Sequence, residues 1–249
     1  PMMQRLAERN IPVITEIELA YNVAKPQHYV AITGTNGKTT TSTLVYELLA
    51  KTFPGKTHLC GNIGIPLCET VLENGLMEEG GHYIALEISN FQLVNIDRFR
   101  PEAAVILNLT PDHVDFMGSL DAYYKSKTEV YRNMSGSDLF LLNADDPVLA
   151  EYTAKYPVNC TVRTFSTDRS DTDSCVSGGY VCVNGEKVLP LDLIKIIGKH
   201  NLQNIIVAVS IAKAFGVTNE DICSVIADFR GVEHRIEFVR ELNGVKYYN

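Results

Sequence analysis

Nearly continuous apolar runs alternate with amphipathic stretches along the 249-residue chain. The runs at 29–32, 82–89 and 103–109 are typical of parallel strands that are buried on both faces. In 39–53 the apolar residues recur at helical spacing, and the strongly apolar segment 205–215 is predicted to be another helix. Strands and helices that alternate in this way predict an α/β fold with a doubly wound, mostly parallel sheet.

A small antiparallel β extension is predicted from two Asn-Gly pairs, at 184–185 and 243–244, each of which lies between short apolar runs. Asn-Gly is the strongest two-residue turn signal for a β-hairpin. The polar stretch 167–179, which precedes the first hairpin, is predicted to be an exposed loop.

The first long apolar run leads into the sequence Thr-Gly-Thr-Asn-Gly-Lys-Thr at residues 33–39. Gly34 and Gly37 let backbone N–H groups turn inward, the following helix adds a partial positive charge, and Lys38 can reach the outer phosphates of a nucleotide. Thr39 is then placed to bind Mg²⁺ through its hydroxyl. The common phosphate-loop motif has a glycine where this chain has Ile32, so an ordinary glycine turn stays open as the alternative.

Polar residues gather where the later strands end. Glu87 lies at the end of the second run, and Asp112, His113 and Asp115 follow the third. Because ligands bind beyond the carboxyl ends of parallel strands, these residues together predict a metal and phosphate site at the sheet edge. The residues alone also allow two other interpretations, a glutamate that caps the next helix and a helix cap with a solvated histidine at 112–115.

Two lysines lie on the predicted helix that follows Ser119. Lys125 and Lys127 are two residues apart, so they point in nearly opposite directions and only one can face the sheet. From the spacing alone, both are interpreted as solvated.

The last third of the chain offers four weaker candidates. Asn201 and Asn204 are three residues apart and share one face of the first turn of the apolar helix. His234 and Arg235 precede a predicted strand, where they form either a ligand contact or an ordinary surface pair.

Composition excludes several classes of function. A net charge of -8 argues against a nucleic-acid-binding protein, which needs a basic face. No apolar run approaches the length of a membrane span and no signal peptide is evident, so we expect a cytoplasmic protein. The six cysteines contain no Cys-x-x-Cys pair and are expected to be reduced thiols. Both ends of the chain look cut, so we expect a piece of a longer protein.

Seven motifs in this order resemble the central domain of the Mur ligase family, and the resemblance covers essentially the whole chain. Besides the loop at 33–39, they are Gly61-Asn62-Ile-Gly-Ile-Pro66, Glu87-x-Ser89-x-Phe91-Gln-Leu93, Asp112-His113-x-Asp115, Tyr123-x-x-Ser-Lys127, Gly198-x-His200-Asn-x-x-Asn204 and His234-Arg235. The second and third motifs are most similar to the family members that add D-glutamate.

The resemblance implies an ATP-dependent amide ligase of peptidoglycan precursor synthesis. ATP phosphorylates a substrate carboxylate, and the amine of the incoming amino acid then displaces phosphate from the acyl phosphate. The expected substrates are UDP-N-acetylmuramoyl-L-alanine and D-glutamate, and the expected state is a monomer. Residues 1–25 would be a linker from a missing N-terminal UDP-binding domain and residues 26–249 the central ATP-binding domain. With the C-terminal amino-acid-binding domain also absent, the 249 residues alone are expected to be inactive.

The resemblance also implies roles for individual residues. Those expected to bind ATP are Gly34, Thr35, Asn36, Gly37, Lys38, Thr39, Thr40, Asn201, Asn204, His234 and Arg235. Two Mg²⁺ ions are expected, the first held by Thr39 with Glu87, and the second by His113 with a Lys127 that CO₂ has carbamylated. The catalytic residues would be Lys38, His113 and Lys127, and Asn62 and Ser89 would contact the acyl substrate.

Two positions depart from the family pattern, which often has serine at Asn90 and a basic residue at Phe116. Neither departure removes an expected metal ligand. Three alternatives stay open: another amino-acid-adding Mur ligase, folylpolyglutamate synthase, or a nucleotide-binding module without catalysis.

Overall fold

The computed structural model describes residues 2–111, 118–232, 238–242 and 244–248. Its strands are β1 (His28–Thr33), β2 (Thr57–Gly61), β3 (Tyr83–Glu87), β4 (Ala103–Ile106), β5 (Gly136–Asn143), β6 (Cys160–Phe165), β7 (Ser174–Ser177), β8 (Tyr180–Val183), β9 (Glu186–Pro190), β10 (Phe238–Leu242) and β11 (Val245–Tyr248). Its helices are α1 (Met2–Glu8), α2 (Glu16–Val23), α3 (Lys38–Thr52), α4 (Leu67–Glu73), α5 (Asn90–Leu93), α6 (Leu120–Thr128), α7 (Pro147–Lys155), α8 (Lys199–Ala214) and α9 (Asn219–Asp228).

The strands of the main sheet lie in the order β2-β3-β1-β4-β5-β6-β7-β8-β9. Neighbours from β2 to β7 pair in parallel, whereas β7, β8 and β9 pair in antiparallel fashion. The prediction of a doubly wound, mostly parallel sheet with a small antiparallel extension is therefore confirmed. The chain runs from β1 out to β2, returns to β3 and then crosses to β4, so the order reverses beside β1. Open α/β sheets bind ligands at the carboxyl ends of the strands at such a point.

Helices cover both faces of this sheet. On one face, α3, α8 and α9 pack against the strands through residues such as Leu48, Ile206 and Ile222. On the other face, α2, α4, α6 and α7 contribute Ile17, Leu67, Tyr123 and Leu149 to a second apolar cluster. Because both faces are covered, the central strands are apolar throughout, as the sequence pattern indicated.

Helix α3 follows the predicted amphipathic pattern. Leu44, Val45, Leu48 and Leu49 were expected on one face, and all four are fully buried. They pack in the same cluster as α8, so the helix that leaves the phosphate loop is fixed on its apolar side. This packing determines where the N-terminus of α3 points.

In the antiparallel extension, one predicted hairpin turn is confirmed and one predicted loop is wrong in part. Asn184 and Gly185 have φ angles of 52° and 80°, which is the left-handed geometry of a type I′ turn between β8 and β9. The expectation of an exposed loop at 167–179 is wrong for Ser174–Ser177, which form β7. This four-residue strand, Ser-Cys-Val-Ser, pairs with β6 and β8, and its partners, not its composition, specify it.

Helix α2 lies within the segment 1–25 that was interpreted as a linker, yet it packs in the core through Ile17 and Ala20. It also buries Glu18 completely. The Glu18 carboxylate accepts hydrogen bonds from the backbone N–H groups of Asp97, Arg98 and Phe99 at 2.8–3.0 Å. A connection to a further domain stays a prediction, since none of these contacts tests it.

Glu18→Gln is expected to lower the free energy of unfolding at pH 7 by about 1–3 kcal/mol, because buried N–H donors lose their charged acceptor. Burial raises the pKa of Glu18, but the backbone hydrogen bonds and one from Asn22 outweigh it and hold the pKa below its ordinary 4.5. The stabilisation is therefore complete above about pH 4.5 and is lost as the pH falls through the lowered pKa.

Urea unfolding at pH 7 and at decreasing acid pH measures this effect, and the difference between Glu18→Gln and wild type should shrink in acid. Glu69→Gln is a matched control, because Glu69 is exposed on α4 and its replacement should change stability by less than about 0.5 kcal/mol. A Glu18→Gln protein as stable as wild type at pH 7 would contradict the prediction.

Two further expectations concern the whole molecule. All six cysteines are free, as expected of reduced thiols. In the described ranges no helix combines the length and the apolar character that crossing a membrane requires.

Candidate active site

The loop between β1 and α3 has the backbone of a phosphate cradle. Gly37 has a φ of 86°, and a Cβ atom there would lie 2.5 Å from Asn204 Oδ1. At Gly34, a Cβ atom would lie 3.0 Å from Leu107 Cβ. Both positions therefore require glycine, and the loop leads directly into the N-terminus of α3 at Lys38.

Two lysines converge on one carbonyl of this loop. Lys38 Nζ donates to Gly34 O at 3.0 Å and to Thr35 O at 2.8 Å. Lys127 Nζ, from α6, also donates to Gly34 O at 3.0 Å. Because the two ammonium groups share an acceptor, positive charge is concentrated at the loop, where an anion would be attracted.

Lys127 is buried, with only 2% of its surface exposed, and its Nζ lies 4.7 Å from the centre of the Tyr123 ring. Lys125 is exposed and places its Nζ 5.7 Å from the ring of Tyr156. The prediction that only one of the two lysines faces the sheet is thus confirmed. The interpretation of both as solvated is wrong for Lys127, because α6 packs its inner face against the phosphate loop.

Glu87 connects the phosphate loop to the loop after β2. Its Oε2 accepts a hydrogen bond from Thr39 Oγ1, and its Oε1 accepts one from Asn62 Nδ2, both at 2.9 Å. The carboxylate is 3% exposed. Glu87 does not cap the next helix, because Ser89 has that role. The sheet register explains why Glu87 reaches both loops, since it is paired with Ile32 of β1 and Gly61 of β2.

Ser89 is the N-cap of α5 and forms a capping box with Gln92. Ser89 Oγ accepts from Gln92 N at 3.4 Å and donates to Gln92 Oε1 at 3.0 Å. Its hydroxyl is therefore engaged within the helix turn, and its predicted substrate contact stays a prediction. The neighbouring Asn90 is 3% exposed, and its Nδ2 has no hydrogen-bond partner among the described residues.

Helix α8 brings its N-terminal half against the phosphate loop through Asn204. Asn204 is buried, and it faces Gly37 as the glycine contact above requires. Asn204 Nδ2 lies 3.4 Å from Asn201 Oδ1, and Asn201 Nδ2 donates to Ile197 O at 2.8 Å. The shared face predicted for the two asparagines is confirmed. Thr40, on the first turn of α3, is also buried beside the loop.

A cavity of about 630 Å³ opens between the carboxyl ends of β4 and β5 and the start of α8. Residues of the phosphate-loop side, the strand ends and α8 line it: Asn108, Leu109, Thr110, Asn143, Asp145, Asp146, Pro147, Val148, Thr167, Asp168, Lys199, His200 and Gln203. It is large enough for a nucleoside, and it adjoins the loop through Asn108.

Sequence reasoning missed the acidic pair that shapes this cavity. Asp146 accepts from Leu109 N at 2.7 Å and caps α7. Asp145 accepts from Thr167 N at 2.8 Å and from Ser166 Oγ at 2.5 Å. Burial raises the pKa of Asp145, but these hydrogen bonds outweigh burial and hold the pKa below its ordinary 3.8, so the carboxylate is held ionised. The signal was the sequence Asn-Ala-Asp-Asp-Pro at the end of a strand.

Three predicted site residues, His113, His234 and Arg235, lie outside the described residues, as do Asp112 and Asp115. Within the described ranges, no group of three or more His, Cys, Asp or Glu side chains is arranged to hold a metal ion. Thr39 and Glu87 nevertheless supply adjacent oxygen donors, which is the ligand type that Mg²⁺ prefers.

Residues 32–212 match the family model described as the Mur ligase middle domain. The chain belongs to the Mur ligase family. Among its curated relatives, it is 39% identical to a "UDP-N-acetylmuramoylalanine--D-glutamate ligase" of Geobacillus kaustophilus (strain HTA426), covering 100% of this chain and 54% of the relative. It is 38% identical to the protein of the same name from Listeria monocytogenes serotype 4b (strain F2365), covering 100% and 53%. The chain thus spans about half the length of these relatives.

Solved structures of Mur ligases share the fold. MurF from Acinetobacter baumannii superposes with a TM-score of 0.68 over 92% of this chain and 51% of its own, at 20% identity. A UDP-N-acetylmuramoyl-L-alanyl-D-glutamate--2,6-diaminopimelate ligase gives a TM-score of 0.66 over 89% and 50%, also at 20% identity. At this identity the likeness supports the doubly wound sheet of the Mur ligase family and nothing finer.

Proposed function

We propose that this chain is the ATP-binding part of a ligase that joins D-glutamate to UDP-N-acetylmuramoyl-L-alanine in peptidoglycan precursor synthesis. The observation that carries the proposal is the Glu87 carboxylate, which contacts Thr39 of the phosphate loop and Asn62 of the neighbouring loop. A residue in that position can serve both the nucleotide and an acyl substrate. The names of relatives 38–39% identical over the whole chain support D-glutamate as the added amino acid.

The described residues fit ATP. The two glycines let the loop pack closely against Leu107 and Asn204, the N-terminus of α3 follows the loop directly, and Lys38 adds a cation. We propose that the adenosine occupies the cavity of about 630 Å³ that Asn108 lines together with Lys199, His200 and Gln203 of α8. Asn201 and Asn204 lie on the same helix but do not line this cavity, so their contact with ATP stays a prediction. ATP would supply the phosphoryl group that makes the substrate carboxylate reactive toward an amine.

Thr39 and Glu87 fit a first Mg²⁺, because a hydroxyl and a carboxylate oxygen already lie 2.9 Å apart. For the second ion we propose His113 and a carbamylated Lys127. A nearby cation disfavours a second ammonium group and favours an anion on that nitrogen, and Lys38 supplies this cation at the shared Gly34 carbonyl. Carbamylation adds CO₂ to the neutral amine and releases one proton.

When bound, the metal ions would neutralise charge between phosphate and carboxylate, and the protein would hold the reacting groups in place. We propose that the remaining substrate contacts lie outside this chain in the full-length gene product, with residues 1–25 leading from a UDP-binding domain and an amino-acid-binding domain following residue 249. The coverage of about half of each relative supports this division.

Phosphate release by the full-length gene product tests the function. The protein is given Mg-ATP and UDP-N-acetylmuramoyl-L-alanine with D-glutamate, L-lysine, meso-diaminopimelate or no amino acid. Release is expected only with D-glutamate. Release that requires another amino acid would keep the mechanism and change the substrate, whereas release without any amino acid would indicate a plain ATPase. No release under any condition would favour a binding module without catalysis.

A further inference from the structure

In the segment that follows β4, the side chain of Asn108 forms hydrogen bonds with the backbone of the phosphate loop. Asn36 N donates to Asn108 Oδ1 at 2.9 Å, and Asn108 Nδ2 donates to Asn36 O at 3.1 Å. The backbone carbonyl of Asn108 also accepts from Thr35 N at 3.1 Å. Asn108 therefore satisfies three backbone groups of two consecutive loop residues.

The pair of hydrogen bonds to Asn36 requires an amide at position 108. A side-chain amide carries an acceptor and a donor at a fixed separation, and the backbone N–H and C=O of Asn36 are the complementary groups. The same partners fix the orientation of the amide, because only Oδ1 can accept from Asn36 N. Aspartate would keep the acceptor without the donor, and alanine would provide neither.

A second contact, between Thr35 and Thr110, holds the same two segments together. Thr35 Oγ1 donates to Thr110 O and accepts from Thr110 N, both at 3.1 Å. Thr110 precedes His113 by three residues in the sequence. The stretch that leads to a proposed metal ligand is thus attached to the loop that would hold the phosphates.

These contacts distinguish a first part of the loop, which is bound to the protein, from a second part, which leads into α3 and would present N–H groups to a ligand. The N–H groups of Thr35 and Asn36 point toward Asn108, so they are engaged by the protein. Phosphate donors are then to be sought from Gly37 onward, in the first turn of α3, whose N–H groups have no acceptor within the helix. Fixing the first part of the loop determines where the second part presents its donors.

We propose that Asn108 is a positioning residue for the nucleotide phosphates, which acts by holding the loop at Asn36. This inference rests on the proposed binding of ATP. Asn108 also lines the adjoining cavity, so a direct contact with the nucleoside is the competing role. The two roles differ in which part of the nucleotide loses affinity when the amide is removed.

The test uses the full-length gene product and the variants Asn108→Ala and Asn108→Asp. Inhibition by Mg-tripolyphosphate, which has no nucleoside, and binding of Mg-ATP are both expected to weaken by about tenfold or more in Asn108→Ala. Asn108→Asp is expected to be weaker still, because it adds a negative charge near the phosphates. Without nucleotide, the Asn36 amide should exchange hydrogen faster in Asn108→Ala but stay protected in Asn108→Asp.

Asn133→Ala is the matched control. Asn133 Nδ2 also donates to two backbone carbonyls, those of Asp97 and Phe99, at 2.8 and 3.0 Å, and neither acceptor belongs to the phosphate loop. It should lose stability without losing phosphate affinity. If wild type binds Mg-ATP and both Asn108 variants keep its tripolyphosphate inhibition, the positioning role is wrong while the proposed function stands. If wild type does not bind Mg-ATP, both are wrong.

Discussion

Replacing Lys127 with alanine is expected to abolish amide ligation by the full-length gene product, lowering turnover at least about a hundredfold. Lys127 is buried against the phosphate loop, with its Nζ 3.0 Å from Gly34 O, so its loss changes the charge where ATP would react. Steady-state phosphate release with saturating substrates measures the effect. Added bicarbonate is expected not to restore turnover, because alanine has no nitrogen that CO₂ can carbamylate.

Two other variants separate chemistry from folding. Lys125→Ala removes an exposed lysine from the same helix and should keep wild-type turnover. Lys127→Met retains most of the buried volume, so it should unfold near the wild-type temperature while remaining inactive. Turnover near that of wild type in Lys127→Ala would remove this residue from the proposed metal site.

The contrast between the two lysines illustrates what the sequence could predict and what it could not. Helical spacing showed that only one of them can face the sheet, since side chains two apart on a helix diverge. Spacing could not tell which one, because the choice depends on how α6 is rotated against the phosphate loop. The resemblance to the Mur ligases selected Lys127, and its burial agrees with that selection.

The strands show the same contrast between features that the local sequence predicts and features that depend on tertiary packing. Continuous apolar runs predicted the buried parallel strands, and the Asn184-Gly185 turn predicted its hairpin, because both signals are local. β7 was missed, since a strand of only four residues within a polar stretch is specified by its neighbours β6 and β8. Asn108 was missed as well. It was interpreted as part of an apolar strand, and only the register of β1 with β4 brings the end of β4 beside the loop.

Glu87→Gln is expected to lower Mg²⁺-dependent turnover by about a hundredfold to a thousandfold, with little change in stability. Glutamine keeps the size of the side chain and an oxygen that can still accept from Asn62 Nδ2, and the Thr39 hydroxyl can rotate to accept from the new amide. What is lost is the negative charge, which a divalent cation needs from its ligands. The apparent affinity for Mg²⁺ should therefore fall together with turnover.

Titrating phosphate release with Mg²⁺ tests this prediction, and Glu47→Gln is the matched control. Glu47 is a half-buried glutamate on α3, the helix that begins at the phosphate loop, and burial raises its pKa. It lies eight residues, more than two helical turns, beyond Thr39, so its replacement should leave the Mg²⁺ dependence unchanged. If Glu87→Gln instead keeps both the turnover and the Mg²⁺ dependence of wild type, its contact with Thr39 is structural, and the first metal site has to be sought elsewhere along the carboxyl edge of the sheet.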